Sequence, residues 1–280
     1  MKLIIDSGST KTHWVFVDER GKTDDFKTPG FNPYYASSDE IKKSIAAGLP
    51  KNIRSNAVDN IYFYGTGCST PNNCLKVKNI LQVFFPKALI ETHHDLYGAA
   101  VALQKDREGI AAILGTGSNS CLWNGHEIVE NVPSVGWIIG DEGSATYLGK
   151  IMLKAFLSGD MPEAITHTFY DFIGLDFEGA LHKIYSEPHP NQWISGLSPF
   201  ASAHMDHPEI QNLVKKNFRD FLSLQVKKYT GYQEKEISFV GSVAWHFREA
   251  LHEVLQEEGL HLGIILQQPM DGLIAFHTKH

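Results

Sequence analysis

Lys2-Leu3-Ile4-Ile5-Asp6-Ser7-Gly8-Ser9-Thr10-Lys11-Thr12 opens the chain. Leu3, Ile4 and Ile5 read as a short buried strand with an aspartate at its end. A tight Gly/Ser/Thr turn follows, and Thr12-His13-Trp14-Val15-Phe16-Val17-Asp18 reads as a second strand. A strand–turn–strand of this composition can wrap a phosphate. Glycine lets backbone N–H groups approach the anion, and the hydroxyls and Lys11 add donors. Asp6 beside the turn suits a Mg²⁺ that keeps much of its water. The same residues also fit an ordinary hairpin with a polar turn.

Working outward, Ile110-Ala111-Ala112-Ile113-Leu114-Gly115-Thr116-Gly117-Ser118-Asn119-Ser120-Cys121-Leu122-Trp123 repeats the plan. It lies about a hundred residues later, roughly one domain on. Further segments stand out in order: His94-Asp95-Leu96-Tyr97-Gly98-Ala99, the glycine-rich stretch from Gly136 to Gly149 with its four glycines, and Gly241-Ser242-Val243-Ala244. On these residues together the sequence resembles the sugar-kinase, heat-shock-ATPase and actin superfamily, and more narrowly the N-acetylglucosamine kinase and BadF/BadG-type ATPases.

The resemblance implies an α/β protein of two ribonuclease-H-like, actin-like ATPase lobes around a nucleotide cleft. Residues 1–107 would form the first lobe, with the first phosphate turn and a catalytic aspartate. Residues 108–280 would form the second, its terminal helix packing back on the first. ATP with Mg²⁺ would be the cofactor. Gly8, Ser9, Thr10, Lys11, Thr12, Thr116, Gly117, Ser118, Gly241 and Ser242 would bind ATP, and Asp6 would stand near the metal. Asp95 matches the family's general base, since it lies between a strand end and a helix start, where ligands bind in open α/β sheets. A helix N-cap is the other reading of an aspartate there. Asn32, Thr116, Asp141 and Glu142 match the sugar-binding positions. The implied reaction is phosphorylation of an amino sugar, N-acetylglucosamine or glucosamine at the 6-hydroxyl. The alternative within the superfamily is a nucleotide-driven switch or reductase activator without a sugar substrate. A homodimer is a candidate assembly.

Composition bounds these readings. The chain has 280 residues, 42% hydrophobic and 20% charged, enough for one large or two ordinary cores. A formal net charge of −7 argues against a nucleic-acid or anionic-membrane surface. No apolar run approaches the roughly 20 residues of a membrane helix, and Leu3-Ile4-Ile5 is too short for a signal-peptide core. Cys68, Cys74 and Cys121 are an odd count without metal spacing, which with the absence of a leader suggests a reduced, cytoplasmic setting. The fourteen histidines read as scattered surface or packing residues rather than a zinc site. Cys68 and Cys121 lie near the two turns, but their contexts do not resemble those of the iron–sulfur activators. The phosphate-loop, dinucleotide and nucleophile-elbow signatures are absent.

The rest of the chain gives a strand over 23–28, a helix from Ser37 or Ser38 to about Leu49, and a strand over 60–64. A helix over 71–85, a strand over 88–92 and a helix over 96–104 follow. A hairpin around Asn124-Gly125 comes next, then a helix through about Leu157 and a mostly helical block over 160–230. The close is a strand over 236–240, one helix from Gly241 through about Gln256, a strand over 262–266 and a terminal helix. Trp137 fits either a sugar face or the core.

Overall fold

The computed structural model describes residues 1–8, 11–50 and 55–279, so the expectations for Ser9 and Thr10 lie outside the described residues. By contacts the chain divides into two units, Met1–Asp106 with Gln268–His280, and Arg107–Gln267.

In the first unit, β1 (Lys2–Ser7), β2 (Lys11–Asp18), β3 (Gly21–Pro29), β4 (Asn60–Gly65) and β5 (Leu89–His94) make a five-stranded sheet in the order β3-β2-β1-β4-β5. The first three strands are antiparallel neighbours, and β1, β4 and β5 run parallel. Alternation along β1 sends Leu3 and Ile5 to one face. There they pack with Trp14, with Ile41 and Ile45 of α1 (Ser38–Gly48), and with Val77, Ile80 and Leu81 of α2 (Pro71–Phe84). The local start signals are strong. Ser37 and Glu40 close a reciprocal capping box on α1, and Thr70 caps α2 with Pro71 in its first turn. α3 (Asp95–Gln104) packs on β4. It is apolar nearly all round, as a helix enclosed on several sides must be. A Cβ on Gly98 would stand 2.8 Å from Tyr64, which shows how closely the helix lies on the strand.

The second unit repeats this topology. After β6 (Glu108–Leu114), β7 (Ser118–Asn124) and β8 (Ile128–Glu130), the chain runs through α4 (Ala145–Leu157), α5 (Glu163–Ile173), α6 (Phe177–Tyr185), α7 (Pro190–Ser195), α8 (Ser198–Ala203) and α9 (Pro208–Leu224). β9 (Glu236–Val240), α10 (Ser242–His246), α11 (Arg248–Glu257) and β10 (His261–Leu266) follow. The sheet order is β10-β9-β6-β7-β8. β6, β7 and β8 are antiparallel neighbours and β6, β9 and β10 run parallel, so each strand of the first sheet has a counterpart. The core combines Ile110, Ala112 and Leu114 with Leu148 and Met152 of α4, Val214, Phe218 and Phe221 of α9, and Leu251 and Val254 of α11.

Finally α12 (Met270–Lys279) belongs to the first unit and packs on α3. A Cβ on Gly272 would meet the Ala102 carbonyl oxygen at 2.5 Å. His277 secures the helix, its Nε2 2.8 Å from the Tyr64 hydroxyl, while Lys2 Nζ donates to its carbonyl at 2.6 Å. Two local expectations need correction. The stretch from Gly241 to Gln256 is two helices, because Phe247 leaves helical geometry (φ −107°, ψ 25°) as its ring is buried. The cap of α3 is His94 rather than Asp95, which is already in the first turn.

Candidate functional site

In the first unit the candidate site residues gather where β1, β4 and β5 end. The Gly8 N–H donates to the Lys11 carbonyl at 2.9 Å and closes the hairpin turn. The Thr66 N–H donates to the Ser7 carbonyl at 2.9 Å and ties the β4 end to the β1 end. Thr12 is fully buried, its hydroxyl 2.8 Å from the Ser7 hydroxyl, so this pair braces the base of the turn. Asp6 lies on the opposite face of the strand. Burial pushes its carboxyl up to about 7, the charge of Asp95 adds to the rise, and Lys11 acts against it. Asp6, Lys11 and Asp95 are therefore close enough for their charges to act on one another.

Asp95 Oδ1 has two donors. The Leu96 N–H reaches it at 2.8 Å and His94 Nδ1 lies 3.0 Å away. Nδ1 also lies 3.3 Å from the Leu96 nitrogen. It cannot donate to one and accept from the other at once, and the shorter contact favours Nδ1–H donating to Asp95. Burial lowers the His94 imidazole, but its hydrogen bond to Asp95 and that group's charge outweigh burial and hold it above its ordinary value. Neither contact uses Oδ2.

Asn32 follows Phe31 in the loop after β3. Its Oδ1 accepts from the Tyr34 N–H at 3.0 Å. The amide sits so close to Gly67, in the turn after β4, that any Cβ there would collide with it. That turn has φ +79° at Gly67, a left-handed geometry suited to glycine.

In the second unit the Gly115 N–H donates to the Gly117 carbonyl at 3.0 Å. The Gly115 carbonyl accepts from the Ala145 N–H at 2.8 Å, and the Thr116 carbonyl from the Thr146 hydroxyl at 2.6 Å, so the turn is bolted to the start of α4. The exposed Thr116 side chain has no partner among the described residues. Asp141, which opens the turn before α4, is one of three non-glycine residues with positive φ among the described residues, at +63°. Such a conformation needs support from its surroundings. Its Oδ1 accepts from the Ser134 hydroxyl at 3.0 Å. Burial raises its carboxyl, while hydrogen bonds from Ser134 and the Ser118 backbone and the charge of Lys150 pull it down. Glu142 is buried beside it. Gly117 is glycine for a visible reason: a Cβ there would stand 2.9 Å from Asp141 Oδ2.

Gly241 sits at φ +128°, pressed against the Leu114 carbonyl. Ser242 then lines a cavity of about 410 Å³ with Ser198, Ser202, His246 and Phe247. This cavity starts at the residue next to the glycine turn.

Three features escaped sequence reasoning. Lys150 of α4 donates to the Trp137 carbonyl and, at 3.1 Å, to the Gly140 carbonyl, holding the loop that carries Asp141. Its signal was faint: one lysine among the buried Leu148, Gly149, Met152 and Leu153. Asn217 of α9 accepts from the Gly143 N–H at 2.7 Å and fixes the same segment from a helix far along the chain. His13 carries a buried Nδ1 without a partner. Trp137 packs against the second unit's core.

Among the described residues no group of three or more His, Cys, Asp or Glu side chains could hold a metal. Mg²⁺ is commonly bound by one or two carboxylates together with substrate phosphates and water. The raised Asp6 carboxyl beside Asp95 and the orphaned His13 nitrogen fit such a hydrated cation. Asp6 would hold it, and when bound it would draw charge from phosphate oxygens. Cys68 and Cys121 are both pushed up to about 12, chiefly by burial, which gives no support to a thiolate-held cluster. No helix among the described residues is long and apolar enough to cross a membrane.

Two sheets of this shared order, each with a glycine turn between its first two strands, define the actin-like ATPase class of α/β folds. The chain belongs to the BadF/BadG/BcrA/BcrD ATPase family, whose model matches residues 5–273. It is similar to a Porphyromonas gingivalis protein described provisionally as an N-acetylglucosamine kinase, at 40% identity over 100% of this chain and 99% of that one, with a TM-score of 0.94. A Chromobacterium violaceum protein described in the same way shares the fold at 17% identity and TM-score 0.72, covering 98% of both chains. So does a ROK family glucokinase from Streptomyces griseus in complex with glucose and AMPPNP, at 14% identity and TM-score 0.55, covering 98% of this chain and 97% of that one. No curated protein is similar enough in sequence to count as a match.

Proposed function

We propose that the chain transfers the γ-phosphoryl group of ATP to a hydroxyl of an amino sugar, with the 6-hydroxyl of N-acetylglucosamine or glucosamine as acceptor. The observation that carries this reading is the pair of aspartates at the ends of β1 and at the start of α3. Among the described residues Asp95 is held on Oδ1 alone, which leaves Oδ2 to orient and deprotonate an attacking hydroxyl. Asp6, whose carboxyl is raised by burial and by Asp95, gains from a cation, as a Mg²⁺-bearing carboxylate should. The family and the 40% identical kinase-like relative support the same assignment.

The two glycine turns supply backbone N–H groups to the phosphates, joined by Lys11 and the Thr116 hydroxyl. The adenine of ATP would take the 410 Å³ cavity beside Ser242, where Gly241 keeps the approach free of side chains. Asp141 accepts from vicinal sugar hydroxyls, and the Asn32 amide donates to the ring. Glu142 backs Asp141 with charge.

A coupled ADP-release assay over amino sugars and hexoses, with water as the control acceptor, tests the reading. An amino sugar should raise ADP release well above the water rate, with one phosphorylated sugar formed per ADP. A rate indifferent to every sugar would leave an ATPase and defeat the kinase assignment.

A further inference from the structure

Asp6 and His13 are directly opposed across the β1–β2 ladder, so their side chains leave the same face of the sheet. The next pair, Ser7 and Thr12, points to the other face and satisfies itself. His13 Nε2 lies 2.8 Å from Asp25 Oδ2 on β3. A carboxylate accepts only, so Nε2 carries a proton, and in the tautomer with that single proton Nδ1 presents a lone pair. That Nδ1 is buried and has no hydrogen-bond partner among the described residues. A buried acceptor is ordinarily satisfied, and a carboxylate–histidine pair aimed at a metal's surroundings is a common outer-shell device.

We propose that His13 is a positioning residue for the cation at Asp6: its Nδ1 accepts a hydrogen bond from a water of hydrated Mg²⁺, with Asp25 fixing the ring. The proposal rests on the reading of Asp6 given above. Water mediation follows from the metal, because Mg²⁺ prefers oxygen ligands and gives up its hydration reluctantly. The bound water is polarised by the cation and is a strong donor. An Nδ1 lone pair on the face that carries Asp6 is a matched acceptor for it, while the Ser7 and Thr12 hydroxyls engage each other on the other face.

The test needs no turnover. Mn²⁺ binding to the full chain with ADP is followed by the loss of the free Mn²⁺ paramagnetic resonance signal, at pH 8. His13→Phe, which fills the space without an acceptor, should weaken Mn²⁺ binding about tenfold or more, the usual cost of losing an outer-shell partner. ADP binding in chelator should stay as in the wild type. His13→Asn, whose side-chain oxygen can replace Nδ1, should recover most of the loss. Asp25→Ala leaves the imidazole in place but frees its tautomer, and it should weaken Mn²⁺ binding as well, which keeps the proposal open to refutation if His13→Phe does not fold. Unchanged Mn²⁺ affinity in His13→Phe, or in Asp25→Ala where that variant must stand in, would overturn the proposal. If Asp6→Asn still loses the metal, the reading of Asp6 survives that failure; if Asp6→Asn also binds Mn²⁺ normally, both fall.

Discussion

At Asp6 stability and function oppose each other. Its carboxyl sits at about 7 in the folded chain against an ordinary 3.8. Between those values the folded state binds more protons than the unfolded one, so stability falls as pH rises through that window and stays low above it. The full difference would be about 4 kcal/mol, and the partial exposure of Asp6 reduces it to about 2 kcal/mol. Asp6→Asn should therefore be about 2 kcal/mol more stable than the wild type at pH 8 without Mg²⁺, with the advantage gone by pH 4; urea unfolding at both pH values checks it. Two glycines should behave differently from each other. In Gly117→Ala the new Cβ meets only the end of the Asp141 side chain, at 2.9 Å, so stability should change by less than about 1 kcal/mol while the KM for sugar rises several-fold. In Gly241→Ala the Cβ meets backbone at a φ of +128°, and thermal unfolding should show a loss of more than about 2 kcal/mol.

At the level of elements, the loop from Asn131 to Gly143, which carries the proposed sugar-binding Asp141, is held from outside itself. Lys150 grips two of its carbonyls and Asn217 fixes its end. Lys150→Met removes charge-assisted hydrogen bonds without emptying the space. It should raise the KM for sugar about tenfold, the equivalent of one such bond, and leave the KM for ATP within about twofold. Steady-state kinetics with each substrate varied separates this from general damage, which would raise both. These links join residues distant in sequence, so no local pattern could announce them. Elements with local signals were legible: the Ser37 or Ser38 start of α1, the Pro71 start of α2 and the Asn124-Gly125 turn all read directly from neighbouring residues. The break at Phe247 was not, because burial of its ring in the second core, rather than any Gly or Pro, ends α10. His13 was visible as a strand residue, but its partnership with Asp6 depends on hairpin register, which the turn length sets.

For the whole molecule, the duplication was legible because each copy keeps its glycine turn between two apolar strands, and the matching strand orders repeat that pattern in three dimensions. The terminal helix joins the first unit through Gly272, His277 and Lys2, contacts made across nearly the whole chain. The central claim is phosphoryl transfer with Asp95 as base, and one comparison tests it most directly. Single-turnover formation of sugar phosphate is measured for the wild type and Asp95→Asn, alongside calorimetric affinities for ATP and sugar. The transfer rate of Asp95→Asn should fall about 10²-fold or more, with both affinities within about threefold of the wild type. An Asp95→Asn protein that forms sugar phosphate at the wild-type rate would contradict it.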